Sequence, residues 1–390
     1  MKKIYYIGHY SDPSGNSKRK TAPAADTKMD YIISSLKKVG YDVEVLSFCV
    51  DDDRKSVFEK KSGYEIEKNG THVVFFTNYT SKFRILRVIG RAFSWIKIRK
   101  YLCKKCLGNE SKVVIYHSLG LLKVIDLFDK KKKRFILEME EIYADVIGKT
   151  KLRKKEIAAA HKANGYIFPT KMLNSEINNE NKPFVIIHGT YQVEADRKCW
   201  IFNKNLQTDG DKIIHCVYAG TLDPRKGGAV AAAAAAEFLP ENYHVHILGF
   251  GSEQEIQNMK DRILNIASRA KAKVTYDGLL YGEDYIRFIQ SCDIGLSTQN
   301  PDAAFNATSF PSKILSYMAN GLRVVSIRIP AIEQSAVGDA LFYYDRQTPE
   351  EIAKAILAVN LTADDDPRKT ISVLSDRFER EIRKLLEGGL

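Results

Sequence analysis

The sequence predicts an α/β protein built from two parallel-sheet domains. Three observations carry this. The chain has 390 residues, enough for two domains of ordinary size. Short apolar runs alternate with stretches of helical period along almost its whole length, the pattern of βαβ units. That alternation restarts cleanly after Gly189-Thr190-Tyr191. We therefore expect a first domain over 1–190, a second over 191–365, and a final helix over 366–390 that crosses back to the first.

Bulk composition narrows the class. Hydrophobic residues make up 44% and charged residues 28%, as in soluble globular proteins. No apolar run reaches the roughly 18 residues of a transmembrane helix. The apolar start, Ile4-Tyr5-Tyr6-Ile7, is too short for a signal peptide and lacks a small-residue cleavage site. Six cysteines in so long a chain do not make a disulfide framework, and a reducing, cytoplasmic setting fits. Cys103-Lys104-Lys105-Cys106 has no second CxxC and reads as two cysteines on a basic helix rather than a zinc site. Net charge is +12, but residues 1–190 hold 37 Lys and Arg against 21 Asp and Glu, and the remainder 23 against 27. A basic front half points to a polyanionic partner, a membrane surface or nucleic acid.

In chain order, residues 3–8 read as a strand, followed by a polar loop to residue 25. Residues 26–39 have helical spacing at Met29, Ile32, Ile33 and Leu36, stopped by Gly40. Residues 41–49 alternate as a strand. The loop between these strands follows a strand's carboxyl end, where open α/β sheets bind ligands. Residues 51–70 are polar and read as irregular or short-helical, and 71–77 as a strand. Over 83–102, Arg84, Arg87, Arg91, Ser94 and Lys97 step along one face, with Ile85, Leu86, Ile89, Phe93 and Ile96 largely on the other. With Trp95 and Tyr101 at a headgroup boundary this is a basic amphipathic helix. An ordinary surface helix, a membrane-contacting one and a nucleic-acid contact all remain open. Further strands fall at 113–117, 135–139, 166–168 and 183–188.

The second domain repeats the alternation. Strands are expected at 212–219, 243–248, 274–276, 294–297, 322–327 and 340–344. Helices are expected at 229–238, 252–270, 282–291, 311–319, 349–359 and 366–386. Residues 309–326 stand out. Pro311 suits a first helical position, Ile314, Leu315 and Met318 have helical spacing, and Asn320-Gly321 is a stop. A helix start beside Lys313 suits an anion. Upstream, Gly220-Thr221-Leu222-Asp223-Pro224-Arg225-Lys226-Gly227-Gly228 joins glycines to two cations before a helix. Such a loop lets backbone approach a diphosphate and neutralise it. It is not a Walker A loop, and Gly249-Phe250-Gly251 alone is too short for a dinucleotide fingerprint.

The order of these segments resembles the donor domain of group 1 (family 4) glycosyltransferases. The similar segments are Val217 through Leu222 with Lys226-Gly227, Ile247 through Glu253, Val274 through Gly278 with Tyr281, Ser291 through Leu296, and Pro311 through Gly321. The resemblance covers roughly 110 residues well and implies the GT-B fold, two Rossmann-like parallel-sheet domains facing a cleft. It implies metal-independent transfer of a sugar from a nucleotide diphosphate donor, UDP-type foremost, to a lipid-linked or saccharide acceptor. No cofactor is implied. Lys226 and Arg225 would neutralise the leaving diphosphate. Gly220, Thr221, Gly249, Gly251, Tyr281, Asn306, Thr308, Ser309, Pro311, Ser312, Lys313 and Ser316 would surround the donor. Two carboxylates usual in the family are replaced by Thr308 and Ser316, which offer hydrogen bonds but no negative charge.

In the first domain His9 or Asp12 after the first strand, and Glu140 or Glu141 after the strand at 135–139, are candidates for an acceptor base if the reaction inverts, with Glu141 preferred of the two glutamates. The basic helix, through Arg84, Arg87, Arg91, Trp95 and Lys97, would meet an anionic membrane. No nucleic-acid module is recognisable. By analogy the setting is bacterial surface polysaccharide synthesis with retention, at the inner face of the cell membrane. The alternative is a binding module that keeps this fold without turnover.

Overall fold

The structure is a computed structural model describing residues 2–12, 23–51, 55–108, 111–197, 212–224, 228–303, 306, 308–362 and 365–388. The chain divides into two compact units, Met1–Ile187 with Arg377–Leu390, and His188–Asp376.

The first unit opens with β1 (Lys2–Gly8), α1 (Pro23–Lys38) and β2 (Tyr41–Ser47). Met29, Ile32, Ile33 and Leu36 are all buried, so the spacing read from the sequence is the core face of α1. Gly40 stops that helix with φ +98°, a conformation glycine adopts without strain. Next come β3 (Glu59–Lys61), β4 (Tyr64–Lys68), β5 (Thr71–Phe75) and β6 (Asn78–Thr80). The sequence suggested irregular or short-helical structure over 51–70, and this is corrected. β4 pairs antiparallel with β5, and β3 with β6. Asn69 and Gly70, both at positive φ, form the two-residue turn of the β4–β5 hairpin.

After α2 (Arg84–Lys105) follow β7 (Lys112–Tyr116), α3 (Leu122–Lys130), β8 (Ile136–Glu138), α4 (Tyr143–Val146), α5 (Thr150–Ala160), β9 (Gly165–Phe168), α6 (Lys171–Ile177) and β10 (Phe184–Ile186). The sheet order is β10-β9-β8-β7-β1-β2-β5-β4, parallel except at β4. β1 is flanked by β2 on one side and β7 on the other, so strand order reverses beside it. The carboxyl ends of β1 and β7 therefore form the switch point where such sheets take ligands.

The second unit contains β11 (Ile214–Thr221), α7 (Ala229–Ala234), β12 (Tyr243–Phe250), α8 (Glu253–Ala267), β13 (Lys273–Gly278), α9 (Gly282–Gln290), β14 (Ile294–Ser297), α10 (Lys313–Ala319), β15 (Arg323–Ile327), α11 (Pro330–Glu333), β16 (Phe342–Tyr344) and α12 (Pro349–Leu357). The last helix, α13 (Pro367–Gly388), begins here and ends among the residues of the first unit. The sheet order is β13-β12-β11-β14-β15-β16, all parallel. Its switch point lies between β11 and β14. α10 starts at Lys313, with Ser312 as its N-cap. Pro311 thus precedes the helix instead of occupying its first position, and its carbonyl accepts the N–H of Ile314.

Candidate active site

In the second unit the switch point gathers several donor-site candidates. β11 ends at Gly220-Thr221 beside Gly249-Phe250 of β12. A Cβ on Gly249 would lie 2.2 Å from the carbonyl oxygen of Gly220, so only glycine lets these two strand ends run so close. Lys313 reaches back from α10: a Cβ on Gly220 would lie 3.0 Å from its ammonium nitrogen. That ammonium sits over the ring of Tyr218. The hydroxyl of Tyr218 donates to the Thr221 carbonyl and accepts the Gly228 N–H, holding both ends of the glycine loop. Tyr317 of α10 accepts the N–H of Ala219 at 2.7 Å, locking the helix onto β11. Burial pushes the Lys313 pKa down to about 7. A cation held so close to its neutral form beside a strand's carboxyl end is suited to an incoming anion, which would restore its charge.

The remaining candidates are placed less uniformly. Arg225 and Lys226 lie outside the described residues. Ser312 is exposed, and Thr308, Ser309 and Pro311 are half-buried. Ser316 hydrogen-bonds the Tyr285 side chain. The amide of Asn306 is engaged within its own loop: its oxygen accepts from Gln299 and its nitrogen donates to the carbonyls of Asn300 and Pro301. Gly251 begins the turn into α8, which Ser252 and Glu255 close with a capping box. Tyr281 caps α9 and is 74% exposed.

In the first unit His9 directly follows β1 and lines a cavity of about 460 Å³ with Phe48, Trp95, Arg87, Arg91 and Lys123. Burial lowers the His9 pKa, opposed by a hydrogen bond to the backbone of Phe48, so the imidazole is neutral at neutral pH, the form a base requires. The cavity thus joins a candidate base to part of the basic helix. That helix is turned differently from the sequence reading. Ser94 is buried in the stripe Gly90, Ser94, Ile98 and Leu102, and Trp95 is half-buried against the core. Arg84, Arg91 and Lys97 are exposed, while Arg87 donates to the carbonyls of Ser81 and Lys82.

β8 ends at Glu138, so strand alternation does not decide between Glu140 and Glu141. Glu140 is ion-paired with Lys28 at 2.6 Å, and Glu141 is half-buried. Two buried groups were not singled out from the sequence. Glu138 accepts the hydroxyl of Tyr6 at 2.6 Å. Next to β7, His117 Nε2 lies 2.7 Å from Glu156 Oε1, with both side chains fully buried. Burial pushes Glu156 up, yet its bonds to His117 and to the N–H groups of Ala144 and Tyr143 leave it lowered. Neither pair has a sequence signature, because each joins residues 39 or more positions apart.

Comparison with known proteins follows the same lines. Residues 214–360 match the family model for "Glycosyl transferases group 1". No curated protein sequence matches. Among solved structures, the chain is similar to the OtsA apo structure at 12% identity, covering 99% of this chain and 98% of that one, with TM-score 0.65. Sucrose-phosphate synthase from Thermosynechococcus elongatus gives 13% identity, 99% and 98% coverage and TM-score 0.65. Anabaena Alr3699/HepE in complex with UDP gives 12% identity, 99% coverage of both chains and TM-score 0.63. These likenesses span both units and carry the fold, while the family match falls on the unit built around β11 and Lys313. Residues 214–360 thus match a group 1 glycosyltransferase domain, and the fold of the chain is that of the GT-B structures.

Proposed function

We propose that the chain transfers a sugar from a nucleotide diphosphate-sugar, UDP-type foremost, to a lipid-linked or saccharide acceptor in bacterial surface polysaccharide synthesis. The observation that carries the reading is Lys313 against Gly220 at the β11–β14 switch point. The bond from the anomeric carbon to the β-phosphate oxygen breaks as the bond to the acceptor oxygen forms. The leaving diphosphate takes the electron pair and, through the departing oxygen, the acceptor hydroxyl's proton, while Lys313, with Lys226 and Arg225, stabilises it as its charge develops. Gly220, Gly249 and Gly251 are assigned to the backbone wall of the phosphate site, Ser312 and Ser309 to hydrogen bonds with the phosphates, and Tyr281 to the base. Thr308 and Ser316 are assigned to sugar and ribose hydroxyls. This assignment asks no metal ion for the leaving-group charge. The solved complex of HepE with UDP, and a second one with UDP and glucose, make uridine the base to try first.

The outcome we propose is retention, with His9 and Glu141 as alternative acceptor-side groups; an inverting reaction would need one of them as base. The exposed apolar face of α2, rimmed by Arg84, Arg91 and Lys97, supports peripheral association with an anionic membrane from the cytoplasmic side. Among the described residues no helix is long and apolar enough to cross one. A second reading, a nucleotide-sugar-binding module without turnover, is favoured by the absence of carboxylates at Thr308 and Ser316 and by the engagement of the Asn306 amide. A thermal-shift screen with UDP, GDP and ADP tests the donor site, and no shift with any of them sinks it. Release of nucleoside diphosphate in the presence of acceptor then separates enzyme from binding module.

A further inference from the structure

At the other end of the second sheet lies a cluster with no part in donor binding. His215 is the second residue of β11 and His244 the second of β12. The parallel register sets His215 opposite His244 and Val217 opposite His246, so all three imidazoles project from one face at the amino end of the strands. Gly220 and Gly249 mark the opposite end. One ligand nitrogen from each histidine lies within 4.8 Å of the others. His215 Nδ1 is 2.9 Å from His246 Nε2, and the rings of His244 and His246 are 3.7 Å apart at their centres.

The surroundings have the form of a metal site. His246 Nδ1 lies 3.1 Å from Asp277 Oδ2. With that nitrogen donating to the carboxylate, the Nε2 lone pair is directed at His215, the carboxylate–histidine arrangement that orients metal-bound imidazoles. Asp277 is itself held by the Thr275 hydroxyl at 2.8 Å, and Thr275 also meets His244 Nε2 at 2.9 Å. Phe288 closes the site edge-on to His246. Two nitrogens on a tetrahedral zinc ion stand about 3.3 Å apart for bonds of about 2.0–2.1 Å. The 2.9 Å separation has only to open by a few tenths of an ångström.

We propose that His215, His244 and His246 form a site for a divalent transition metal, zinc foremost, that ties β11 to β12 at the amino end of the sheet, with Asp277 as a positioning residue. Three imidazoles select zinc, cobalt, nickel or copper over magnesium or calcium. The side chain of Asp277 is 23% exposed, so water reaches this edge of the cluster, and the fourth position is assigned to it.

The test uses the untagged full chain, stripped with a chelator and titrated with Zn²⁺ against a chromogenic chelator, and with Co²⁺ by visible absorption. The expected result is one equivalent of metal, a four-coordinate cobalt spectrum without thiolate charge transfer, and a raised Tm. His215→Asn, at the least buried of the three, should weaken binding more than tenfold, and Asp277→Asn by about 10- to 100-fold. Binding that disappears instead in Cys103→Ser would place the metal at the cysteine pair and overturn the proposal. So would unchanged binding in His215→Asn. Failure of the wild-type chain to bind stoichiometric metal overturns it without recourse to any variant.

Discussion

The ammonium of Lys313 lies 4.0 Å from the centre of the Tyr218 ring, joining the start of α10 to the strand that ends at the glycine loop. Burial at this place lowers the lysine pKa to about 7. An unfolded lysine keeps its proton to about 10.4. This group therefore makes the ligand-free protein more stable as pH rises from about 7 towards 10.4, because the unfolded chain holds the extra proton in that window. A bound diphosphate reverses the preference and draws the proton back. UDP binding should thus take up a proton above pH 7, and affinity should fall by up to about tenfold per pH unit there. Calorimetry in buffers of different ionisation enthalpy checks the uptake. Lys313→Met should bind UDP at least about tenfold more weakly and without that proton. Proton uptake unchanged in the variant would remove Lys313 from the donor site.

Two glycines separate close packing from backbone conformation. Alanine at 249 places its Cβ 2.2 Å from the Gly220 carbonyl, backbone against backbone, with nothing flexible to yield. Gly278 has open space around it but φ +84°. Gly249→Ala should cost about 3 kcal/mol or more in denaturant unfolding, against about 1 kcal/mol for Gly278→Ala. Equal losses would mean that the β11–β12 approach is not what requires glycine at 249.

Glu138 supplies a test in the first unit. Burial, then the charge of Glu140, raises its pKa far above the ordinary carboxylate range. Between the ordinary value of about 4.3 and the raised one, the folded protein holds a proton that the unfolded chain has lost. Stability from this group is therefore present at low pH and declines as pH rises through that window. Glu138→Gln removes the titration but can still accept from Tyr6. The variant should lose ground to wild type at pH 5 and recover it by pH 8, read as unfolding free energies in urea. A constant difference across that range would contradict the assignment.

How much was legible in the sequence follows from what each feature depends on. The buried faces of α1 and α10 were legible because period alone fixes them: Met29, Ile32, Leu36, Ile314, Leu315 and Met318 are all in the core. The hairpin of β4 and β5 was passed over because Glu65, Glu67 and Lys68 make it polar, although Tyr64 and Ile66 alternate with them and Asn69-Gly70 marks the turn. The orientation of α2 was misread because Gly90 and Ser94, small residues with little hydrophobic signal, are what it buries. Glycine loops and Lys313 pointed to a candidate donor site, but the lowered lysine pKa depends on burial beside Tyr218, 95 positions away along the chain. The three histidines carried no signal, since strand register alone brings His215 to His244 and His246.

The outward face of α2 bears on the membrane. Ile85 is 74% exposed, Ile96 63%, Val88 59% and Phe93 51%, with Arg84, Arg91 and Lys97 exposed beside them. Apolar side chains left in water beside cations suit an anionic lipid interface, which takes up both. Each basic residue contributes about 1 kcal/mol near such a surface, and each buried aliphatic side chain about 1.5 kcal/mol or more. Arg84→Glu with Arg91→Glu should therefore lower co-sedimentation with phosphatidylserine vesicles at least about tenfold at low salt, an effect that fades as salt screens the charges. Arg87 is left in place because its bonds to Ser81 and Lys82 support the start of the helix. Ile85→Ser with Ile96→Ser should weaken binding equally at low and high salt, because its contribution is hydrophobic. Co-sedimentation unchanged in both double variants, with folding intact by circular dichroism, would take α2 out of membrane contact.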